Sequence, residues 1–321
     1  SDDGAAWPNS PGQTGVRGDL RIVAAPQDGP SNVLAFNFFP TNGDMLIDNA
    51  ENWGASANAH RFFRNVITHE NGHGMGLSHV CPVTQTKIME PFLSTAFDGA
   101  QLDDILAMQY QYGDAAEPNP NLAASEPLEP LGLQSDTTLF INNLSLHSPG
   151  ENDVYTFDAS GGSVLNLAQV TPTGNIYLSG PQNQDGSCTS GTQYDSLRQI
   201  DLQIEILSPA GFVIATANNT GLGGLEAVGP VQLTTDGTYG IRVNSGGATS
   251  GDQFIIQAYN LQVNVTIQSL VGDVTGDGLV NGFDITQVLN AFNSTNPNFD
   301  LNNDGIVNAG DITIILNNWT G

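Results

Sequence analysis

Apolar and polar positions alternate in two different ways along the chain. Within residues 1–115, the apolar, β-rich runs Leu20–Ala25 and Val33–Phe39 predict strands. His60–Gly72 and Gln101–Tyr112 carry apolar residues at helical spacing and predict helices. Strands and helices mixed in this way predict an α+β domain.

Residues 134–268 consist of short alternating segments separated by turn signals such as Asp236-Gly237. The predicted strands include Asp153–Phe157, Asp201–Leu207, Phe212–Ala217, Thr238–Val243 and Gln253–Ala258. Regular short strands without long helical patterns predict an all-β sandwich. The proline-rich residues 116–133 before it predict an extended, semi-rigid linker.

Residues 270–321 contain an internal repeat. The segment Asp273–Asp284 recurs as Asp300–Asp311, and an apolar helical pattern follows each copy. The chain is therefore predicted to be multidomain, with an α+β domain, an all-β sandwich and a small α domain.

Charge narrows the range of partners. The 321 residues include 33 acidic and seven basic side chains, for a formal net charge of −26. Nucleic acid and anionic lipid would repel such a chain, and no apolar run reaches the roughly 18 residues of a membrane span. The sequence starts at Ser1 rather than Met and shows no signal peptide. We therefore interpret it as a mature form or fragment of a secreted or cell-surface protein. Cys81 and Cys188 fall in different predicted domains, which does not favour a disulfide between them.

The segment His69–His79 reads HENGHGMGLSH and fits the pattern H-E-x-x-H-x-x-G-x-x-H at every fixed position. A helix presents His69 and His73 on one face, and Gly76 allows the turn that returns His79 as a third ligand. Three nitrogen ligands leave one coordination position of zinc open, which is typical of a catalytic site. Glu70 is predicted to act as general base for peptide hydrolysis by a zinc-activated water.

These residues resemble the matrixin branch of the metzincin proteases over roughly residues 18–114. The resemblance extends to Val33–Pro40, similar to the strand that lines the substrate cleft, and to Ile88-Met89-Glu90-Pro91, similar to the Met-turn. It implies that Met89, with Pro91, forms an apolar base under the zinc. It also implies a calcium site; the corresponding residues are Asp28, Asp48 and Glu51.

The sequence departs from matrixins in two places. The positions of a second, structural zinc are occupied here by Arg21, Val23, Phe36 and Leu46, so we expect one zinc per chain. Residues 1–17 cannot supply the first strand and helix of matrixins, which we expect to be cut from this sequence or absent. The segment Cys81-Pro82-Val83 and Phe92-Leu93 are predicted to shape an apolar pocket beyond the scissile bond.

Both copies of the repeat have the spacing of calcium loops, with oxygen-bearing residues at positions 1, 3, 5, 9 and 12 and glycine at position 6. Position 7 contributes its backbone carbonyl. The predicted ligands are Asp273, Thr275, Asp277, Leu279, Asn281 and Asp284 in the first loop, and Asp300, Asn302, Asp304, Ile306, Asn308 and Asp311 in the second.

The two loops, each followed by one helix, resemble a type I dockerin, which implies two bound calcium ions and a cohesin-like or cell-surface partner. The usual contact positions depart from the dockerin pattern, being Gly282-Phe283 and Ala309-Gly310. With the segments Asn152–Phe157, Asp201-Leu202 and Asp236–Tyr239, residues 151–245 resemble the bacterial pre-peptidase C-terminal sandwich, and this implies adhesion, substrate holding or spacing. His147 and Cys188 are interpreted as surface or packing residues.

The sequence therefore predicts a secreted zinc endopeptidase that acts on extracellular proteins and is targeted by a calcium-dependent module. The alternative hypothesis is a surface adhesion protein whose protease domain is catalytically vestigial. Glu70 separates the two hypotheses, because only the enzyme requires it.

Overall fold

A computed structural model describes residues 7, 12–13, 18, 20–54, 57–268, 270–276 and 279–320. The chain divides into two compact units. The first unit comprises residues 1–112 and 174–196, and the second comprises residues 113–173 and 197–321. In chain order the elements are β1 (Ile22–Ala25), β2 (Ala35–Asn37), β3 (Met45–Asp48), α1 (Arg61–Gly74), β4 (Val80–Cys81), α2 (Leu102–Tyr112), β5 (Glu126–Pro127), β6 (Thr138–Leu146), β7 (Asn152–Ala159), β8 (Val164–Pro172), β9 (Ile176–Pro181), β10 (Thr192–Asp195), β11 (Ile200–Leu207), β12 (Val213–Ala217), β13 (Glu226–Val228), β14 (Val231–Gln232), β15 (Gly237–Thr249), β16 (Gln257–Thr266), α3 (Gly282–Asn290) and α4 (Ala309–Asn317).

The first unit contains a three-stranded sheet in the order β1-β3-β2, with β1 parallel and β2 antiparallel to β3. All four residues of the central strand β3 are buried. Met45 and Ile47 of this strand share a core with Val66 of α1, and Phe63 and Ile67 pack against it. The apolar face of α1 that the helical spacing predicted therefore packs against the sheet and fixes the position of the helix.

A second sheet of the first unit has the order β10-β9-β4. Strands β9 and β10 form an antiparallel hairpin within residues 174–196, and β9 pairs with β4 through Val80↔Pro181 and Cys81↔Gly180. A disulfide joins Cys81 to Cys188. The expectation against this disulfide was wrong, because it placed Cys188 with the sandwich although residues 174–196 belong to the first unit.

The second unit is built mainly from two antiparallel sheets, in the orders β12-β11-β15-β7-β5 and β13-β8-β16-β6. Strand β14 pairs with β8, and β5 joins β7 in parallel. One core is shared by both sheets and includes Tyr155 of β7 and Tyr259 of β16, whose hydroxyl groups lie 2.8 Å apart. The predicted strand Gln253–Ala258 was misplaced, because the alternation of buried and half-buried positions that the sheet uses runs through Gln257–Thr266.

The two C-terminal helices follow the repeated loops. Asn281 and Asn308 each cap a helix, and Asp284 and Asp311 complete the capping boxes. The buried part of the core beneath them is small and consists of Val280, Val288, Val307 and Ile315. The predicted apolar faces are only partly buried, since Leu289, Phe292, Leu316 and Trp319 are exposed.

Among the described residues, no helix combines the length and apolar character needed to cross a bilayer.

Candidate metal centre

Helix α1 and the turn that follows it bring three histidines together. His69 and His73 lie one helical turn apart in α1, which ends at Gly74. Gly76 has φ +99°, a left-handed conformation that favours glycine, and it directs the chain back toward the helix. The return places His79 Nε2 at 3.1 Å from His69 Nε2 and 3.2 Å from His73 Nε2.

Each imidazole uses its other nitrogen to contact a carbonyl oxygen. His69 Nδ1 lies 2.6 Å from Ile88 O, and His73 Nδ1 lies 2.7 Å from Leu77 O. His79 Nδ1 lies 2.8 Å from the side-chain oxygen of Gln182. Because these oxygens only accept hydrogen bonds, each Nδ1 carries the proton and each Nε2 directs a lone pair inward.

Three convergent lone pairs repel one another unless a cation lies between them. A tetrahedral zinc with bonds of about 2.0–2.1 Å keeps its nitrogen ligands about 3.3–3.4 Å apart, close to the separations found here. Burial lowers the pKa of His69 to about 4 and also lowers that of His73, which keeps both imidazoles neutral near pH 7. The residues therefore fit a three-histidine zinc site.

Glu70 lies beside the histidines in a cavity of about 540 Å³. Its side chain is 7% exposed, and one carboxylate oxygen, Oε2, is buried without a hydrogen-bond partner among the described residues. Burial raises the pKa of Glu70 to about 7, against the effect of a backbone N–H from Asn37. A carboxyl group with one unpartnered oxygen and a pKa near neutrality suits a proton acceptor, and a cation next to it would favour its charged form.

Met89 of the predicted Met-turn is buried, at 1% exposure, and packs directly against Gly72 of α1, which lies between His69 and His73. Asp104 of α2 holds this turn, since its carboxylate accepts hydrogen bonds from Ile88 N at 2.8 Å and Met89 N at 3.1 Å. The motif-based reasoning assigned no role to Asp104 or to Gln182. The position of Asp104 in the first turn of a predicted helix was a signal that could have identified it. No comparable signal in the sequence indicates a role for Gln182.

The cavity is also lined by Ala35, Phe36, Asn37, Phe39, Ser78, Pro181 and Gln182. The cleft-lining role expected of Val33–Pro40 is therefore supported by the position of β2. Cys81-Pro82-Val83 and Phe92-Leu93 are not among the described residues that line it, and the side chain of Phe92 is 68% exposed.

The predicted calcium ligands of the first unit are occupied by backbone donors. Asp48 accepts from Ala50 N at 2.8 Å and from Asp28 N at 3.3 Å, and Glu51 accepts from Ser31 N at 2.5 Å. At the positions where the resemblance places a structural zinc in matrixins, Arg21 pairs with Asp44 at 2.6 Å. Val23, Phe36 and Leu46 lie in or beside the β1-β3-β2 sheet and offer no ligand atoms.

In the first repeated loop, Asp284 accepts hydrogen bonds from Val274 N and Thr275 N, and Gly276 N donates to Asp273. Asp277 lies outside the described residues. In the second loop, Asp300 accepts from Asp304 N at 3.1 Å. Asn302 and Asn308 donate from their side chains to Asp304.

Within the described part of the chain, two groups of His, Cys, Asp or Glu have ligand atoms all within 4.8 Å of one another. One is the histidine triad. The other, in the second unit, comprises Glu117, His147 and Glu151, so His147 is not an isolated side chain. His147 Nδ1 lies 2.6 Å from Glu151, whose pKa burial raises to about 8. Among the described residues, which leave out Asp277 of the first loop, the carboxylates of the repeated loops form no such group.

Residues 18–113 match the family described as Matrixin, peptidase family M10. Mouse stromelysin-3 is 31% identical over 128 residues, which make up 39% of this chain and 24% of that protein. Metalloendoproteinase 2-MMP of Arabidopsis thaliana is 35% identical over 124 residues, 36% of this chain and 31% of the relative. Human matrix metalloproteinase-26 is 35% identical over 95 residues, which make up 28% of this chain and 35% of that protein. The chain thus spans between a quarter and about a third of the length of these relatives.

These similarities, together with the histidine triad, support a zinc-dependent metalloendopeptidase domain of the matrixin type. The structure of a periplasmic lysozyme inhibitor, PliG of Aeromonas hydrophila, covers 44% of this chain and 96% of its own. Its TM-score of 0.26 and sequence identity of 15% establish neither fold nor function.

Proposed function

We propose that the protein is a zinc-dependent endopeptidase. The observation that carries this proposal is the convergence of three imidazole Nε2 atoms in one cavity with Glu70, whose carboxylate oxygen Oε2 is buried without a partner among the described residues. His69, His73 and His79 would hold the zinc, which supplies Lewis-acid polarisation of the substrate carbonyl when bound. Glu70 takes a proton from the attacking water and later delivers one to the leaving amine.

The edge of the first sheet supports binding of an extended peptide. Among the described strands, the order β1-β3-β2 makes β2 an edge strand that pairs with β3 on one side, and its residues Ala35, Phe36 and Asn37 line the cavity. An edge strand can add a substrate segment as a further strand, using main-chain hydrogen bonds that do not depend on substrate sequence. This arrangement suits hydrolysis within a polypeptide more than removal of a terminal residue.

The test is cleavage of casein or gelatin by the purified full chain. We expect activity that stops with a chelator and returns with zinc, and its loss in Glu70→Gln. The matched control is Glu129→Gln, the same chemical change in the second unit, where Glu129 only accepts a hydrogen bond from Asp158 N. Activity that survives in Glu70→Gln would refute the proposed mechanism. A wild-type protein that binds zinc and cleaves nothing would favour the vestigial adhesion protein.

We also propose that residues 270–321 form a dockerin-like calcium module that targets the enzyme to an extracellular or cell-surface partner. The support is the loop spacing, which the two capped helices preserve: the residue at position 9 is the N-cap of each helix, and the residue at position 12 closes the capping box. We further propose a calcium ion bound by Asp28, Asp48 and Glu51 in the first unit, where it would compete with the backbone N–H groups that donate to these carboxylates.

A further inference from the structure

The third histidine of the site is supported from a distant part of the chain. The contacts of His69 and His73 come from Ile88 O and Leu77 O, within the segment that matches matrixins. His79 Nδ1 instead lies 2.8 Å from Gln182 Oε1, 103 positions away in the sequence and outside that segment. The hydrogen bond that sets the tautomer of His79 therefore depends on the β9–β10 hairpin.

The orientation of the Gln182 amide is determined by its second partner. Gln182 Nε2 donates to Gly186 O at 2.8 Å, so the other end of the amide, Oε1, must be the atom that faces His79. Since Oε1 only accepts, His79 Nδ1 carries the proton and Nε2 is free to bind a metal. A reversed amide would place an N–H group against Nδ1 and would favour the tautomer that cannot bind zinc through Nε2.

The short turn that carries Gln182 is itself well ordered by hydrogen bonds. Asn183 N donates to Ser187 O at 2.9 Å, and Gly186 N donates back to Asn183 O at 3.0 Å. Gln182 and Cys188 form an isolated β-bridge across the turn. These contacts fix the position of Gly186 O, the atom that accepts the hydrogen bond from Gln182 Nε2.

Three independent attachments hold the hairpin at the site. Strand β9 pairs with β4, which directly follows His79. The disulfide joins Cys188, at the far side of the turn, to Cys81 of β4. The Tyr177 hydroxyl is hydrogen-bonded to Asp103 of α2. A segment fastened in this way can act as a rigid support for a neighbouring ligand.

We propose that Gln182 is a positioning residue of the zinc site, which fixes the tautomer and ring orientation of His79 through the tethered β9–β10 hairpin. This proposal rests on the proposed zinc site and adds to it a residue from outside the matrixin-like segment. Loss of a side chain that orients a histidine ligand typically weakens metal affinity by roughly 10- to 100-fold.

The test measures zinc affinity, by competition with a chromophoric chelator, in the full chain with its disulfide intact. Gln182→Leu retains the size of the side chain and removes the acceptor, so we expect zinc affinity to fall by about 10- to 100-fold. Gln182→Glu still presents an oxygen to Nδ1–H and should bind zinc within a few-fold of wild type. Gln193→Leu is the matched control, because Gln193 is an exposed residue of β10 in the same hairpin.

Wild-type affinity in Gln182→Leu, or an equal loss in Gln182→Leu and Gln193→Leu, would overturn the proposal. Near-ultraviolet circular dichroism and a free-thiol count show whether each variant is folded. If the Gln182→Leu protein is not folded, Gln182→Asn takes its place in the comparison, because the shorter asparagine side chain cannot reach His79. Loss of zinc in that variant with retention in Gln182→Glu supports the proposal, and equal affinities contradict it. A wild type that binds zinc without proteolysis would sink the proposed activity alone.

Discussion

Gly72 lies directly against the side chain of Met89, and a Cβ atom built on Gly72 would be 2.3 Å from Met89 Sδ. Gly72 stands between the two histidines of α1, and Met89 is a buried residue of the Met-turn. The close approach of the helix to the Met-turn therefore requires a residue without a side chain at this position. Glycine in a helix interior has a cost, and the packing of the metal centre explains why it is here.

Gly72→Ala should destabilise the first unit. Alanine in place of glycine stabilises a helix by about 1 kcal/mol, but overpacking a filled core destabilises the protein by about 1–3 kcal/mol. Because the clash is with a buried sulfur atom, we expect the overpacking to exceed the helix gain, for a net loss of up to about 2 kcal/mol. Urea denaturation measures it. Gly54→Ala is the control, since its new Cβ would meet only Asn52 Oδ1 at 3.5 Å, an ordinary contact. A Gly72→Ala protein more stable than wild type would show that Met89 moves aside freely.

Asp104→Asn should loosen the Met-turn. The carboxylate accepts backbone N–H groups from Ile88, Met89 and Gln101 and is 3% exposed. Hydrogen bonds to a buried charged acceptor are worth about 1.5–3 kcal/mol each, and an amide can replace only part of this set. We expect a loss of about 2–4 kcal/mol in the free energy of unfolding.

The control for this substitution is Asp98→Asn. Asp98 is an exposed partner of Arg64, and surface ion pairs contribute about 0–1 kcal/mol. Both proteins are compared by thermal unfolding. Similar melting temperatures for the two variants would contradict the supporting role assigned to Asp104.

The metal-free protein should lose stability in acid. Burial lowers the pKa of His69 to about 4, whereas an unfolded histidine titrates near 6.5. Between these values the unfolded chain binds more protons, so stability falls as pH drops from about 6.5 to about 4. The shift corresponds to roughly 3 kcal/mol from His69.

Chemical denaturation of chelator-treated protein across this pH range measures the loss. His69→Asn should flatten the profile. His60→Asn is the control, because His60 lies outside the site in a left-handed conformation that asparagine tolerates. If His69→Asn left the dependence of stability on pH unchanged, the acid sensitivity would come from other groups.

The catalytic helix and the histidine triad could be predicted from the sequence because their geometry is local. A spacing of four residues places His69 and His73 on one face, and a glycine permits the turn to His79. The predicted helix His60–Gly72 compares with the observed Arg61–Gly74. Periodicity and spacing carry this information within a dozen residues.

The hairpin contribution could not be predicted in the same way. The two-residue strand β4 pairs with β9, about 100 positions later, and so short a strand has no alternation of its own. The segment 174–196 lies between strands β8 and β11 of the second unit, so its sequence neighbours indicated the sandwich. The disulfide and Gln182 were missed for this one reason, because only the fold brings residues 79–81 next to 181–188.

Calcium should bind both repeated loops, and two substitutions in the second loop separate ligation from helix capping. Asp304 is exposed and accepts hydrogen bonds only within the loop, whereas Asp311 also closes the capping box of α4. Asp304→Asn should remove one calcium ion and leave the metal-free circular dichroism spectrum unchanged. Asp311→Asn should remove the same ion and also destabilise the metal-free module by about 2–4 kcal/mol, because the buried carboxylate accepts backbone N–H groups from Leu301, Asn302 and Asn308.

Calorimetric titration of the full chain with calcium measures the stoichiometry, and Asp98→Asn is the control outside the module. Magnesium should compete weakly, because it requires near-octahedral geometry and retains its waters, whereas a calcium loop of the predicted spacing supplies its oxygens from the protein. Calcium should also increase helical signal, since binding neutralises carboxylates around a core whose buried part consists of Val280, Val288, Val307 and Ile315. Equal calcium uptake by the wild type and Asp304→Asn would mean that the second loop is an acidic turn without an ion.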